Sequence, residues 1–520
     1  MNNQISAVPT ARVVQTYSEG SKKLMWGCAV SVLTFWLFAE SIGAAAPAMI
    51  KNINTADRYW LNQDTLNVAI SLTALFVGIF IIIMGNLGDR IGHVRITLGG
   101  LIANTLGSAM ILAAHGSFAL PLIGTGRALQ GIATACIMPA TMALISENWS
   151  GKARAKAISI WAIAAWGGGS LSALFGGSIA TMIGWRWLLV ASIVVSAIAF
   201  SLFHGTPETS TPHAGEKFDW IGMILLVVGV ASLMIGAFLG FLNGWLKPLC
   251  LAILIFGILA LTALGIWERR VKYPFLDLSI FRNRAFTGVT VSNFFLNASV
   301  GMVLVSQQLI VLAGCKAQRM GDLCPIGKNY TAWDASLIAI GYAVFVMSFI
   351  RIGEKLLPTF GPRKLMLWGT ASAALACGML MLTHVLVSAY VVLAAIAYSL
   401  YGLGLALYAT PSMYTALDNL PREHVGLGSG IYKMGSAVGA AIGSAVSLTL
   451  FSDLSVTKTS VLGNVIQLEG AQQNIDLRQA ATLALTSDLI FLLLAALVLF
   501  VTLPRPLSRY TDPEAYVRFD

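Results

Sequence analysis

Gly85-Asn86-Leu87-Gly88-Asp89-Arg90-Ile91-Gly92-His93-Val94-Arg95 lies between two apolar runs, the first extending from about Leu66 to Met84. A run of that length crosses the hydrocarbon core of a bilayer. The charged, glycine-punctuated stretch must therefore turn the chain at a membrane surface and join two spanning helices. Its glycines allow a sharp turn and the close approach of a neighbouring helix, while Asp89 can meet a basic side chain or a helix N-terminus. A plain basic loop obeying the positive-inside rule would share these features.

Composition excludes a soluble enzyme. Of the 520 residues, 57% are hydrophobic and only 11% charged, against roughly 25% charged in a soluble domain. The formal net charge of +10 comes from basic residues scattered between apolar segments, which reads as basic cytoplasmic loops rather than a nucleic-acid footprint. Residues 1–23 are polar and hold no apolar leader core, so insertion is expected to begin with the first span. Fourteen apolar segments follow, near 24–49, 65–85, 95–115, 121–145, 156–182, 185–205, 219–242, 246–267, 285–313, 334–357, 363–385, 388–414, 427–451 and 483–503. An even count puts both termini on one side. Most Lys and Arg fall on that side, including Lys152, Arg154, Lys156, Arg269, Arg270, Arg282 and Arg284, which places both termini in the cytoplasm.

The G-x-L-x-D-R-x-G pattern of 85–92, followed by basic residues, resembles the loop after the second helix of the major facilitator superfamily. Gly126-Arg127-Ala128-Leu129-Gln130-Gly131-Ile132-Ala133-Thr134-Ala135 is similar to that family's R-x-x-Q-G-x-x-x-A element. Pro274-Phe275-Leu276-Asp277-Leu278-Ser279-Ile280-Phe281-Arg282-Asn283-Arg284-Ala285-Phe286 resembles the P-x-x-x-L-x-x-F-R-N-R-x-F element of its fourteen-helix drug:proton antiporter branch. The resemblance implies an all-α polytopic membrane protein with the major facilitator fold, two six-helix halves plus two extra central helices. The expected organisation is an N-terminal cytoplasmic tail (1–23), an N-terminal half (24–205), a linker with the two additional helices (206–283), a C-terminal half (284–504) and a C-terminal cytoplasmic tail (505–520). In the fifth segment the branch's usual Gly-Pro pair is replaced by Ser172 and Ala173, a departure from the antiporter signature.

Intramembrane charge marks the candidate site, because an ionised side chain in hydrocarbon is costly and persists where it is used or paired. Glu40 is the only carboxylate these segments place deep in a span, and a carboxyl there can alternate between protonated and charged forms as a cavity opens to either side. Arg127, whose family counterpart is associated with proton coupling, lies ~9 Å inside its segment. It either faces a cavity or is held by backbone carbonyls of a neighbouring helix. Lys433 stands where relatives often carry asparagine, with Ser436 where they carry arginine, and either snorkels to the surface or faces the cavity. Phe35, Trp36, Trp161, Trp166 and Tyr432 are candidate cavity aromatics for stacking and cation–π contact. Gly85, Asp89, Arg90, Gly92 and Arg95 form the candidate conformational gate, and Gly168, Gly169, Gly176 and Gly177 are candidate helix-packing glycines. Cys315 and Cys324 share an outer loop and can form a disulfide.

The resulting expectation is a proton-coupled secondary transporter, not an enzyme, that exports amphipathic, chiefly cationic, drugs by alternating access. Its localisation is the inner or plasma membrane of a bacterium. The alternative is a carrier for an endogenous anionic or zwitterionic metabolite recognised by Lys433 and Arg127, with a non-transporting scaffold disfavoured. The expected partners are a small-molecule substrate, protons and the lipid bilayer, without nucleic acid, for a monomeric chain. No cofactor beyond the proton gradient and no metal are expected, since no metal-ligand spacing or nucleotide-binding loop occurs.

Overall fold

A computed structural model describes residues 20–504, apart from 55–60, 209–218, 244–246, 273, 314–329, 331, 386, 422–423 and 457–474. Thirteen helical stretches among the described residues are long and apolar enough to cross a membrane. One of them, Trp333–Leu380, breaks at Gly361, whose φ of 74° leaves the helical region and is followed by Pro362. Divided there, the spans number fourteen: α1 (Lys22–Ile53), α2 (Thr65–Ile91), α3 (His93–Leu112), α4 (Gly116–Asn148), α5 (Gly151–Gly184), α6 (Arg186–Phe203), α7 (Trp220–Gly240), α8 (Pro248–Glu268), α9 (Arg284–Leu312), α10 (333–360), α11 (362–380), α12 (Ala389–Asp418), α13 (Val425–Ser455) and α14 (Ile475–Thr502).

Local chemistry sets several of the helix ends. Asn62 and Thr65 form a reciprocal capping box at the start of α2. Asn283 starts α9 by accepting hydrogen bonds from the amides of Ala285 and Phe286 at 3.0 and 3.1 Å. This assigns the asparagine of the F-R-N-R stretch a structural duty. α14 begins at Ile475, eight residues before the hydropathy of the sequence suggests. The polar turn at its start is tolerated because buried Arg478 donates to the carbonyls of Thr383 and Val385.

The first six and last six helices form two bundles. They meet where α2 packs on α13 and α5 on α10, while α7 rests against α2 and α13 and α8 packs on α7. α8 turns Leu249, Ile255, Phe256, Ile258 and Leu259 outward, and α14 exposes Leu493, Leu497, Phe500 and Val501. Such apolar belts fit lipid as solvent.

Among the described residues, α1 and α9 are interrupted midway. α1 widens into π-type turns over Thr34–Ala39 and turns at Glu40 and Ser41 before continuing. α9 stops at Ala298 and restarts at Gly301. They are the first helices of the two halves, and their breaks lie at similar depths, ~27 and ~25 Å from the helix starts. Paired breaks in corresponding helices mark the usual location of a transport site, since freed backbone groups can then line a cavity.

Candidate functional site

The gate is built from the turn between α2 and α3. Asp89, 9% exposed, accepts hydrogen bonds from the amides of Gly426 at 3.0 Å and Leu427 at 2.8 Å. It thereby caps α13 of the opposite half, where unpaired amides and the helix dipole favour an anion. His93 lies one turn away, with Nε2 3.3 Å from Asp89 and 3.2 Å from Glu147, so two carboxylates share one imidazole. Gly85 lets α2 approach α13, because a Cβ there would lie 2.6 Å from the Gly426 carbonyl oxygen. Gly92 takes φ +113°, and Glu208 closes the turn by accepting from the amides of Val94 and Arg95 at 3.1 and 2.7 Å. Arg90 donates to Asn86 at 3.1 Å, whereas the Arg95 side chain is exposed. At the same end Arg154 of α5 pairs with Asp418 of α12 at 2.8 Å, and Ser429 of α13 donates to the Pro139 carbonyl of α4 at 3.2 Å. The halves are joined at this end of the bundle.

Farther in, the α1 break carries Glu40. It is exposed between buried Ala39 and Ser41, although it lies far inside the helix. Arg127 is buried beside it and donates to the Ala39 carbonyl at 2.7 Å, to Gln130 at 2.8 Å and to the Ile70 carbonyl at 3.3 and 3.4 Å. The arginine thus satisfies the backbone exposed by the break, and it interacts with Glu40 through charge. Among the described residues no ion pair joins the two. Gly168, Gly169 and Gly176 of α5 press on Leu33, Trp36 and Ser41 of α1, while Gly177 faces Trp333 of α10. Ser172 stands where the antiporter branch has its Gly-Pro pair, and its carbonyl accepts from Ser41 at 2.7 Å. Phe35 and Trp36 meet edge to face at 5.1 Å, and Trp166 lies in a second π-type widening, Ile163–Gly167.

Nearer the gate, Lys433 of α13 sits with Nζ 4.5 Å from the Trp161 ring of α5 and 5.8 Å from the Tyr432 ring. Lys433 is 7% exposed, and among the described residues no carboxylate pairs with it. Trp161 is fixed by its Nε1 donating to Thr141 at 2.9 Å, and the Tyr432 hydroxyl shares a hydrogen bond with Ser412 at 2.7 Å. Lys433 is ~12 Å from the start of its helix and Glu40 ~27 Å from the start of its own. The two charges therefore occupy different depths.

One expectation needs correction: Glu40 is not the only deep carboxylate. Asp488 lies midway along α14 with 0% exposure. Hydropathy hid it because the helix extends into a polar stretch, so an apparent end position is a middle one. The partners of Asp89, Arg127 and Arg154 on other helices also had no signal in sequence spacing, unlike the local pairs with His93 and Gln130. Cys315 and Cys324 lie outside the described residues. Among the described residues no group of three or more His, Cys, Asp or Glu is placed to hold a metal ion.

Comparison with known proteins gives a consistent outcome. The sequence model of the Major Facilitator Superfamily matches residues 25–444. The quinolone resistance protein NorB of Staphylococcus aureus strain MRSA252 is 40% identical over 452 residues, 86% of this chain and 92% of that protein; its counterpart from strain Newman is 39% identical over the same span. A double-tryptophan mutant of XylE shares the fold with a TM-score of 0.59 at 15% identity, covering 93% of this chain and 96% of its own. The human organic anion transporter MFSD10 does so at 0.55 and 14% identity, covering 92% and 98%.

Proposed function

We propose that this chain, which belongs to the Major Facilitator Superfamily and is therefore a membrane transporter of small molecules rather than an enzyme, exports amphipathic aromatic drugs in exchange for protons. The observation that carries the substrate class is the Lys433 ammonium, buried against the Trp161 face without a paired carboxylate among the described residues. A desolvated cation beside a rigid aromatic ring suits a ligand that presents a carboxylate on a flat ring system. Quinolones have that shape and charge, and the relatives at 40% and 39% identity are quinolone resistance proteins. The reading thereby moves from a purely cationic solute toward a carboxylate-bearing one.

Glu40, exposed at the α1 break, is the proton carrier in this reading, and Arg127 holds the break open around it. Protons would bind from outside and leave to the cytoplasm. Drug would bind near Lys433 from the cytoplasmic side, where the gate separates Asp89 from α13 during opening.

The test is direct binding of a quinolone that lacks a basic amine, and of its uncharged methyl ester, to wild type and Lys433→Met at fixed pH. Attraction between unit charges ~4 Å apart is worth roughly 4 kcal/mol at an effective dielectric of 20, so quinolone binding should weaken by tenfold or more. Ester binding should stay unchanged. Equal binding of the acid to both proteins would remove Lys433 from recognition and return the choice to cations attracted by Glu40.

A further inference from the structure

We propose that Asp488 is a second proton-binding carboxyl of this transporter, lodged at the break in α9 as Glu40 is lodged at the break in α1. The carboxyl group is fully enclosed. Its Oδ1 accepts from Ser447 Oγ of α13 at 2.9 Å, while its Oδ2 is buried without a hydrogen-bond partner. α9 restarts beside it at Gly301, where a Cβ would stand 2.8 Å from Oδ1, so glycine is what lets the broken helix meet the carboxyl group. The Met302 amide, at the restart of α9, also directs its N–H toward the carboxyl group as a donor.

Among the described residues no cation balances this group. The titratable side chains facing it are Cys377 from α11 and Tyr401 from α12, α13 contributes Ser447, and Ser487 is its neighbour on α14. Among the described residues no Lys, Arg or His acts on it, and Arg478 of the same helix is bonded to the carbonyls of Thr383 and Val385. A buried carboxylate with one orphaned oxygen and no counter-ion among the described residues carries the cost of a desolvated, uncompensated charge, which the neutral acid avoids. Movement of the α9 break would change what faces Oδ2 and so couple helix shape to protonation. A purely structural Asp488, serving only as hydrogen-bond acceptor for Ser447, would be replaced by asparagine without consequence.

This inference rests on the proton-coupled reading above, and infrared difference spectroscopy separates the two. Full-length purified protein in lipid vesicles is titrated with pH, then with ciprofloxacin, as wild type, Asp488→Asn, Asp488→Glu and Glu40→Gln. The expected result is a carboxylic C=O band that moves in heavy water, vanishes in Asp488→Asn, is displaced in Asp488→Glu and changes when ciprofloxacin binds. Protons released per ciprofloxacin bound should fall by about half in Asp488→Asn, since one of two exchanging carboxyls is gone. Identical spectra and proton release in wild type and Asp488→Asn would overturn the proposal and leave a structural aspartate. Loss of the band on adding sodium at fixed pH would overturn it in favour of a metal-cation site. If wild type releases no proton on ciprofloxacin addition yet the Asp488 band still titrates, proton-coupled export fails and the proton site stands. Should Asp488→Asn not fold, the wild-type and Asp488→Glu titrations still decide.

Discussion

At the residue scale the two charged side chains at the α1 break are held in opposite ways. Arg127 spreads its planar fork over the carbonyls of Ala39 and Ile70 and the Gln130 amide oxygen, so it supports the broken backbone. Lysine cannot reach all three. Arg127→Lys should leave buried carbonyls unpaired at about 1–3 kcal/mol each, visible as a clear fall in melting temperature of detergent-purified protein. An unchanged melting temperature would refute that structural duty. Glu40, by contrast, is exposed and makes no described side-chain hydrogen bond, so Glu40→Gln should leave a folded protein that binds drug but releases no Glu40-linked proton. Glu40→Asp should keep partial coupling because it retains a titratable group with a shorter reach. Full proton-coupled transport by a well-folded Glu40→Gln would exclude Glu40 as the carrier.

At the scale of elements, the α2–α3 turn and the start of α13 behave as one latch. The Asp89 carboxylate accepts two hydrogen bonds from amides of the other half, each of a type worth about 1.5–3 kcal/mol. Asparagine keeps one acceptor and loses the charge. Asp89→Asn should therefore shift the population open at this end by roughly tenfold, with drug affinity near Lys433 little changed. Fluorescence energy transfer between dyes on α3 and α13 measures the shift, and an unshifted distribution would show that the latch lies elsewhere. Gly92→Ala attacks the same latch through the backbone. It would force a side chain into φ +113° and against the Glu208 carboxylate, a strain of order 1–3 kcal/mol that should slow opening and closing rather than abolish binding.

Across the whole molecule, the gate-end contacts between halves differ in weight. The Arg154–Asp418 pair is as short as the Asp89 contacts, but Asp418 is 48% exposed and such pairs contribute about 0.2–1 kcal/mol. Arg154→Ala should consequently move the opening equilibrium by no more than about fivefold, and less at high salt. A larger effect than Asp89→Asn in the same fluorescence assay would reverse that ranking. The proposed orientation, with both termini cytoplasmic, follows from basic residues such as Lys152, Lys156, Arg269 and Arg270 at the gate end. Protease should then remove terminal tags only from inside-out vesicles.

Apolar length and charge placement alone determined the all-helical membrane fold, the fourteen spans and the surface position of the 85–95 turn, because crossing a bilayer imposes its constraint locally on every segment. They also singled out Glu40, Arg127 and Lys433, since charge inside an apolar run is visible without any partner. Tertiary structure decided what each charge does: Asp89 caps α13, Arg127 holds the α1 break, Lys433 rests on Trp161, and Glu40 stands at another depth. It also revealed Asp488, which hydropathy set near a helix end. Partners in these contacts are separated by tens to hundreds of residues, and in every case it is packing between helices, which no local window contains, that turns a costly charge into a placed one.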